Sequence, residues 1–357
     1  MNKRVLVLSK YPRNGASSRL RTLQYLPFLK QQGFEFTVHN LFDDSYLETL
    51  YRKGTRSRWA IIGRYLRRLY SLLWVRQFDI VWIEKEIFPY FPAVAERLLS
   101  FLGVKYVVDY DDAIFHNYDL SENPLVKRFL SRKIDTVMRL SGCVLAGNDY
   151  LATRARESGA RKIQILPTVV DHRRYAERHL RGSGKLTVGW IGSPSTQKYV
   201  VEVFPALKAA YLKMPFRLLL VGATGEVRHQ LPGLDVDVEP WNENTEADLI
   251  ASMDIGIMPL HDGPWERGKC GYKLIQYMAS CVSVIASPVG VNREIVEGSS
   301  SGLLADNLNE WEHNLTRLLL SDDMRFRMGR SGKNMVEEKY SLQSQVPVLK
   351  SVLESVG

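Results

Sequence analysis

The stretch that decides the fold lies in the second half of the chain, where residues 254–296 read DIGIMPLHDGPWERGKCGYKLIQYMASCVSVIASPVGVNREIV. An apolar run ends at Leu260, and a loop rich in glycine and charge follows it. A helix is predicted to begin near Tyr272, and a second buried strand is predicted at 282–287. Strand, loop, helix and strand in this order are typical of a parallel βα unit.

The same alternation extends over the whole chain. It predicts six strands in the first half, at residues 5–9, 34–39, 79–83, 105–109, 142–146 and 162–166, and five in the second, at residues 186–191, 217–221, 235–239, 254–258 and 282–287. A helix at 19–32 closed by Gly33 is expected, and so is a terminal helix at 342–356. We therefore predict an α/β protein with two doubly wound parallel sheets. Its domains are expected at 1–170 and 185–340, with a linker at 171–184 and a C-terminal helix at 341–357.

Composition narrows the class of protein. The 357 residues are 45% hydrophobic and 24% charged, which is typical of a globular protein and not of a disordered or membrane-embedded one. Cys143, Cys270 and Cys281 form no CxxC pair, which argues against a disulfide framework or a structural zinc site. The apolar run at the start is too short for a signal peptide and no run could span a membrane, so a cytoplasmic location is expected.

The positive charge is concentrated in the first half. Residues 1–180 hold 30 Lys and Arg against 18 Asp and Glu, whereas residues 181–357 hold 18 against 21. The stretch 51–76 has eight basic and no acidic residues, interleaved with Leu, Ile, Trp and Tyr. It is typical of a helix on an anionic membrane surface, and equally of a surface helix with a solvated arginine face. A specific nucleic-acid partner is not expected, because no binding motif accompanies the charge.

Three turns after predicted strands carry candidate ligand-binding residues. The first contains Gly15, and the second contains Gly192, Ser193 and Lys198, which offer amide, hydroxyl and ammonium donors to a phosphate. The third leads into the helix that begins near Tyr272, where Lys273 and Gln276 are three residues apart and share a face. A cation in the first turn of a helix suits a pyrophosphate, and an amide one turn later can hydrogen-bond a sugar hydroxyl.

The stretch 259–296 resembles the signature of the family 4 retaining glycosyltransferases, two-domain enzymes of the GT-B fold. Other landmarks of that family occur in order, at the Gly15 turn, 107–114, 147–149, 167–171 and the Lys198 loop. The resemblance covers essentially the whole chain. It implies two Rossmann-like domains that face a central cleft, with the acceptor on the first, a nucleotide sugar on the second, and the C-terminal helix returning to the first domain.

The resemblance also implies roles for individual residues. Glu266, Lys273 and Asp111 are the catalytic candidates, and the donor-binding candidates are Gly15, Gly192, Ser193, Lys198, Trp241, Lys269, Gln276 and Gly290. His116 is assigned to the acceptor side as a candidate to replace the missing histidine. Independently of the resemblance, the basic stretch 51–76 assigns Arg64, Arg67 and Arg68 to an acceptor or membrane surface. The chain departs from the family pattern in four places. Gln276 replaces the second glutamate of the Glu-x7-Glu motif, and Glu266 is displaced from the position of the first. Ser193 stands where an arginine is usual, and Asp111 stands where a histidine is usual.

The mechanism implied by the resemblance needs stabilisation of a leaving diphosphate more than acid–base groups, and lysines with a helix dipole supply it without a metal or cofactor. Asp109, Asp111 and Asp112 have the spacing of a metal-binding motif but end a predicted buried strand, so we expect a structural or hydroxyl-binding role for them. The acceptor is expected to be a saccharide or a lipid-linked saccharide of cell-surface polysaccharide or glycolipid synthesis. A non-catalytic nucleotide-sugar-binding or scaffold protein on the same fold is the alternative, because the expected glutamate and histidine are missing.

Overall fold

The computed structural model describes residues 2–46, 58–177 and 184–357. For residues 58–60 it describes the backbone only. Residues 51–57 of the basic stretch and 178–183 of the predicted linker lie outside the described residues. The chain divides into two compact units. The first comprises residues 1–168 together with 345–357, and the second comprises residues 169–344.

The first unit is built on a parallel sheet with the strand order β2-β1-β3-β4-β5-β6. Its strands are β1 (Lys3–Ser9), β2 (Phe34–Asn40), β3 (Ile80–Glu84), β4 (Tyr106–Tyr110), β5 (Cys143–Ala146) and β6 (Ile163–Ile165). Its helices are α1 (Ala16–Ser18), α2 (Leu26–Lys30), α3 (Arg58–Leu72), α4 (Val94–Phe101), α5 (His116–Asp119), α6 (Pro124–Leu130), α7 (Lys133–Leu140) and α8 (Asp149–Glu157), with a π-helical turn at Arg19–Leu23 and a 3₁₀ turn at Val75–Gln77. The strand order changes direction between β1 and β3, so the loops after these strands frame a crevice.

The second unit has the strand order β12-β11-β10-β7-β8-β9, again all parallel. Its strands are β7 (Thr187–Ile191), β8 (Arg217–Val221), β9 (Asp235–Glu239), β10 (Ile255–Met258), β11 (Ser283–Ala286) and β12 (Gly302–Leu304). Its helices are α9 (Lys198–Glu202), α10 (Phe204–Lys213), α11 (Glu246–Ala251), α12 (Pro264–Arg267), α13 (Tyr272–Ala279), α14 (Val291–Ser299), α15 (Leu308–Leu320) and α16 (Asp322–Lys339), with 3₁₀ turns at His172–Arg174, Pro194–Thr196 and Gly225–Gln230. This is the Rossmann order, in which ligands bind beyond the two strands where the order reverses, here β7 and β10.

Successive residues of the buried strands point to opposite sides of the second sheet, as the pleat requires. Trp190 and Leu220 belong to a core with helices α10 and α15. Ile191 and Val221, one residue further along the same strands, belong to a second core with helices α13 and α14. The sheet is therefore covered on both faces, which explains why its strands read as continuous apolar runs.

The prediction of two doubly wound parallel sheets is confirmed, and the eleven predicted strands are present to within two residues at each end. Two details were wrong. The half-buried edge strand β12 was missed, because three residues are too few for a period to show. The single helix expected at 19–32 is instead divided into the π-helical turn and α2, and helical structure already begins before it with α1. Gly33 follows α2 with φ +90°, as expected of a helix end.

The terminal helix α17 (Leu342–Val356) forms as predicted, with one buried face that includes Val346, Leu349 and Leu353. Residues 345–357 of this region pack with the first unit. The Nζ of Lys3 donates to the carbonyl of Glu354 at 2.9 Å, and the Nζ of Lys162 donates to Oγ of Ser355 at 2.6 Å. The chain end thus contributes to the same compact unit as the first strand.

Candidate functional site: the crevice of the second unit

The turn after β7 brings small residues and amide groups to the reversal point of the second sheet. A Cβ at Gly192 would lie 2.3 Å from the Trp190 ring, so only glycine fits the turn. The Ser193 backbone nitrogen donates to Oγ1 of Thr196 at 3.3 Å, which orders the 3₁₀ turn that follows. Gln197 then exchanges hydrogen bonds with Thr224 after β8, at 2.9 and 3.0 Å. The backbone of this turn is therefore fixed before a ligand arrives.

Lys198 and Lys273 supply positive charge to this crevice. Lys198 is exposed at the start of α9, with its ammonium 5.0 Å from the centre of the Tyr199 ring. Lys273 is half-buried in the first turn of α13, with its ammonium 5.4 Å from the centre of the Trp190 ring at the end of β7. The partial positive charge of the α13 N-terminus adds to that of Lys273. An anion at the reversal point would meet charge from both loops.

The loop between β10 and α13 is held by two glycines with positive φ. Gly271, with φ +65°, ends the loop directly before α13. Gly290, with φ +53°, lies after β11, and a Cβ there would be 2.6 Å from the carbonyl oxygen of Arg267. Lys269 lies half-buried two residues before Gly271, and its backbone nitrogen donates to the carbonyl of Glu266 at 3.1 Å. Gly290 thus acts by letting the loop pack closely.

Glu266 is buried on helix α12, within this loop. Its Oε1 accepts a hydrogen bond from the hydroxyl of Tyr199, and its Oε2 lies 3.3 Å from Nε2 of His261. Burial raises the pKa of the Tyr199 hydroxyl, and the bond to Glu266 adds to that rise. The displaced glutamate is therefore held in a cluster with an aromatic hydroxyl and an imidazole at the carboxyl edge of the sheet.

Gln276, one turn after Lys273, is 2% exposed and is surrounded by polar side chains. Its Nε2 donates to the hydroxyl of Tyr175 at 3.1 Å and to Oε2 of Glu246 at 3.3 Å. Trp241 donates from Nε1 to the same Oε2 at 2.8 Å. Sequence reasoning singled out Gln276 and Trp241 but missed Glu246 and Tyr175, which are 30 and 101 residues away from Gln276.

The first unit carries its own polar cluster at its reversal point. Arg21, in the π-helical turn, pairs with Asp109 at 2.7 Å and donates to the carbonyl of Leu166 at 2.7 Å. Burial raises the pKa of Asp109 to about 6, although Arg21 acts against that rise. Gly15 lies just before α1, where a Cβ would be 2.4 Å from that of Tyr11.

Lys85 lies at the centre of this cluster. It follows β3 with φ +68°, is 7% exposed, and places Nζ 2.8 Å from Asp111, 3.7 Å from Asp112 and 3.1 Å from Oγ of Ser17. Burial would raise the pKa of Asp111, but Lys85 and other cations outweigh it and lower that pKa. Asp111 is therefore an ionised partner of Lys85. The signal that sequence reasoning passed over is the charged run Glu84-Lys85-Glu86 directly after an apolar strand.

The four residues assigned to an acceptor or membrane surface differ in their surroundings. His116 is bonded at both ring nitrogens, to Asp119 and to the hydroxyl of Tyr150, each at 2.8 Å. Arg64 pairs with Asp43 at 2.8 Å, whereas Arg67 is exposed. Arg68 is 3% exposed and donates to the carbonyls of Ser9 and His39. Arg68 was thus wrongly assigned to a surface, because its guanidinium satisfies backbone carbonyls inside the unit.

Among the described ranges 2–46, 58–177 and 184–357, no cluster of three or more His, Cys, Asp or Glu has the arrangement of a metal site. Within the same ranges, no helix is both long enough and apolar enough to cross a membrane.

Comparisons with known proteins agree with this architecture. Several solved structures have the same fold along nearly their full length at low sequence identity. Sucrose-phosphate synthase from Thermosynechococcus elongatus has a TM-score of 0.73 at 12% identity, with 99% of each chain covered. HepE from Anabaena in complex with UDP has a TM-score of 0.70 at 11% sequence identity, with 99% of this chain and 100% of HepE covered. WaaG, a glycosyltransferase involved in lipopolysaccharide biosynthesis, has a TM-score of 0.68 at 12% sequence identity, with 98% of this chain and 99% of WaaG covered.

The chain has two Rossmann-like parallel sheets, and it matches these solved structures along nearly its full length. Together these two findings define the GT-B fold and confirm the predicted fold class. Residues 185–321, which hold the Gly192 turn, Lys273 and Gln276, match the family described as glycosyl transferases group 1. The second unit therefore contains a glycosyl transferases group 1 domain. A comparison with curated protein sequences gave no significant match.

Proposed function

We propose that the protein is a retaining glycosyltransferase that transfers a hexosyl group from a nucleotide diphosphate sugar to a saccharide or a lipid-linked acceptor. The observation that carries this proposal is the convergence of Lys273, the N-terminus of α13 and the fixed Gly192 turn on the reversal point of the second sheet. These groups suit a diphosphate, because ammonium groups, amides and a helix dipole all attract its negative charge.

The chemistry follows from the charge that develops during transfer. When the bond between the sugar and the diphosphate breaks, negative charge grows on the departing diphosphate. Lys198, Lys273 and the first-turn amides of α13 are proposed to stabilise that charge, which the positions of the two ammonium groups over Tyr199 and Trp190 support. The acceptor oxygen then bonds to the anomeric carbon from the face that the diphosphate leaves, while the diphosphate takes up the proton of the acceptor hydroxyl. Because the new bond forms on the face of the broken one, the configuration at the anomeric carbon is retained. Glu266 is proposed to face the donor sugar, with Tyr199 fixing its carboxylate.

The nature of the donor and the acceptor is supported by analogy with the structural neighbours. HepE has been solved in complex with UDP-glucose, and it matches this chain with a TM-score of 0.69 at 13% identity over 99% of both chains. WaaG acts in lipopolysaccharide biosynthesis. We therefore favour a nucleotide sugar as the donor and cell-surface polysaccharide or glycolipid synthesis as the process, at the cytoplasmic face of the membrane.

An exposed apolar surface on the first unit supports attachment to a membrane. Helix α3 exposes Ile62, Leu66, Leu69 and Tyr70 at helical spacing. Helix α4 exposes Val94, Leu98 and Phe101 at the same spacing, with Phe101 87% exposed. Tyr65 of α3 donates to the carbonyl of Pro89 at 2.6 Å, which ties α3 to the loop that precedes α4. Apolar stripes with flanking arginines are typical of a surface that binds anionic lipid.

The test is a ligand panel followed by a transfer assay. Thermal melting is measured with UDP, GDP, ADP and their sugars, since a ligand at 100 times its dissociation constant stabilises the folded state by about 2.7 kcal/mol. The donor that stabilises the protein is then incubated with lipid-linked saccharide acceptors, and the anomeric configuration of the product is read by NMR. Transfer with retention supports the proposal. Binding without transfer or hydrolysis would favour the non-catalytic alternative, and no binding at all would overturn both.

A further inference from the structure

Gln276 belongs to a hydrogen-bond network whose donors all lead to the carboxylate of Glu246. The amide nitrogen Nε2 of Gln276 donates to the Tyr175 hydroxyl and to Oε2 of Glu246. The Tyr175 hydroxyl donates to Oε1 of Glu246 at 3.4 Å, and Nε1 of Trp241 donates to Oε2 at 2.8 Å. Three of these four hydrogen bonds end on the carboxylate of Glu246, which is 2% exposed, and the fourth leads to it through the Tyr175 hydroxyl.

The carboxylate dictates which way the amide of Gln276 faces. An ionised carboxylate only accepts hydrogen bonds, and an indole nitrogen only donates them. A flipped amide would place its carbonyl oxygen against Oε2 of Glu246, where two acceptors would meet without a proton between them. Burying such an unsatisfied pair is costly. Within the described part of the chain, Nε2 makes the hydrogen bonds of Gln276, so the carbonyl oxygen Oε1 is left to accept one.

This orientation matters because of what Gln276 replaces. Gln276 lies one turn after Lys273 on the same face of α13, at the position where the family signature has a glutamate. A glutamate offers only acceptors there, whereas a glutamine can offer either an acceptor or a donor. With its amide nitrogen turned toward Glu246, Gln276 offers an acceptor again. The negative charge absent from position 276 is present instead at Glu246, 30 residues earlier.

We propose that Glu246 is a positioning residue that fixes the amide of Gln276, so that Oε1 accepts a hydrogen bond from a ribose hydroxyl of the nucleotide donor. The inference rests on the proposed function, because it concerns the same nucleotide site. It makes Glu246 and Gln276 a coupled pair whose chemistry can be exchanged between the two positions.

The experiment measures preference for ribose rather than affinity alone. Dissociation constants of UDP, GDP and ADP and of their 2′-deoxy and 3′-deoxy forms are determined by calorimetry for the natural protein, Glu246→Gln, Gln276→Glu and the double exchange. Glu338→Gln, an exposed change on α16, is the matched control. For the nucleotide that binds, the ratio of deoxy to ribose dissociation constants is compared among the variants.

We expect Glu246→Gln to lower this ratio about tenfold, because a glutamine at 246 no longer forces the amide of Gln276 to one orientation. Gln276→Glu places two carboxylates beside each other and is expected to weaken binding of every nucleotide. The double exchange should restore the ratio to within about threefold of the natural value, since the amide at 246 can donate to the carboxylate at 276. Glu338→Gln should leave the ratio unchanged.

Two results separate this inference from the proposed function. If no nucleotide binds the natural protein, the proposed function fails. If a nucleotide binds but Glu246→Gln keeps the full preference for ribose, Glu246 is merely structural and the inference is overturned, whatever the change in melting temperature. Should Glu246→Gln alone not fold, the double exchange decides: a ratio that stays below a tenth of the natural value overturns the inference.

Discussion

At the scale of single residues, Lys273 can be tested by removing its charge alone. Its ammonium lies 5.4 Å from the centre of the Trp190 ring and is proposed to bind the diphosphate. Lys273→Met keeps the apolar stem and removes the charge. We expect nucleoside diphosphate binding to weaken about 30-fold, which corresponds to about 2 kcal/mol for one charged hydrogen bond, with little change in melting temperature. Calorimetry checks this, with the exposed Lys127→Met as its control. Equal affinity in both variants would contradict the assignment.

Glu266 is the second residue whose role can be tested by a conservative change. Glu266→Gln keeps the shape of the buried side chain and its bond to Tyr199 but removes the negative charge. We expect nucleotide binding to stay within about twofold and turnover to fall about 100-fold, because the lost charge acts on the developing positive charge of the sugar. Steady-state kinetics with the donor sugar measures this. Full activity in Glu266→Gln would remove the displaced glutamate from the mechanism.

At the scale of elements, Gly290 controls how the loop before α13 packs. Gly290→Ala brings a Cβ to 2.6 Å from the Arg267 carbonyl at φ +53°, so the loop and α12 must shift. We expect a loss of stability of about 1–3 kcal/mol and weaker nucleotide binding. Gly298→Ala is the matched control, because it lies inside α14 with nothing within 4 Å and should be neutral or stabilising. Denaturant unfolding of both variants measures the difference.

Membrane attachment can be tested with the exposed arginines of α3 and of the 3₁₀ turn that follows it. Arg67 and Arg76 are exposed, whereas Arg68 is buried. Arg67→Gln with Arg76→Gln should lower the affinity for vesicles of anionic lipid by about 2 kcal/mol, about 30-fold, and leave the melting temperature unchanged. Arg68→Gln should instead lower stability, because it removes the guanidinium that donates to the buried carbonyls of Ser9 and His39. If the protein cosediments equally with anionic and neutral vesicles, α3 is better explained as a solvated surface helix.

At the scale of the whole molecule, the proposed reaction depends on fixed positive charge and not on a metal ion. We expect transfer or donor hydrolysis to continue in excess EDTA at more than half of the untreated rate, because lysines and a helix N-terminus stabilise the diphosphate. Assays with and without EDTA, followed by added Mn²⁺ or Mg²⁺, measure this. Complete loss with EDTA and recovery with either ion would show that the diphosphate needs a metal.

The sequence determined the fold and the order of its elements. The runs 217–221 and 235–239 coincide with β8 and β9 to the residue. The first has the continuous apolar sequence of a buried strand, and the second has the alternation of acidic residues and valine that is typical of a half-exposed edge strand. The turn glycines at 192 and 290 were likewise visible, since a close approach of backbone excludes other residues. Lys273 and Gln276 could be placed on one face because helical spacing is also local.

Only the tertiary structure decided which polar groups act together. Glu246 and Tyr175 meet Gln276 from 30 and 101 residues away, and Lys85 meets Asp111 across neighbouring strands. The sequence predicted a surface position for Arg68, but in the structure its guanidinium donates to the carbonyls of Ser9 and His39 inside the unit. A residue's neighbours along the chain fix its helix or strand, but the partners of a buried charge come from distant segments, and packing alone brings them within hydrogen-bond distance.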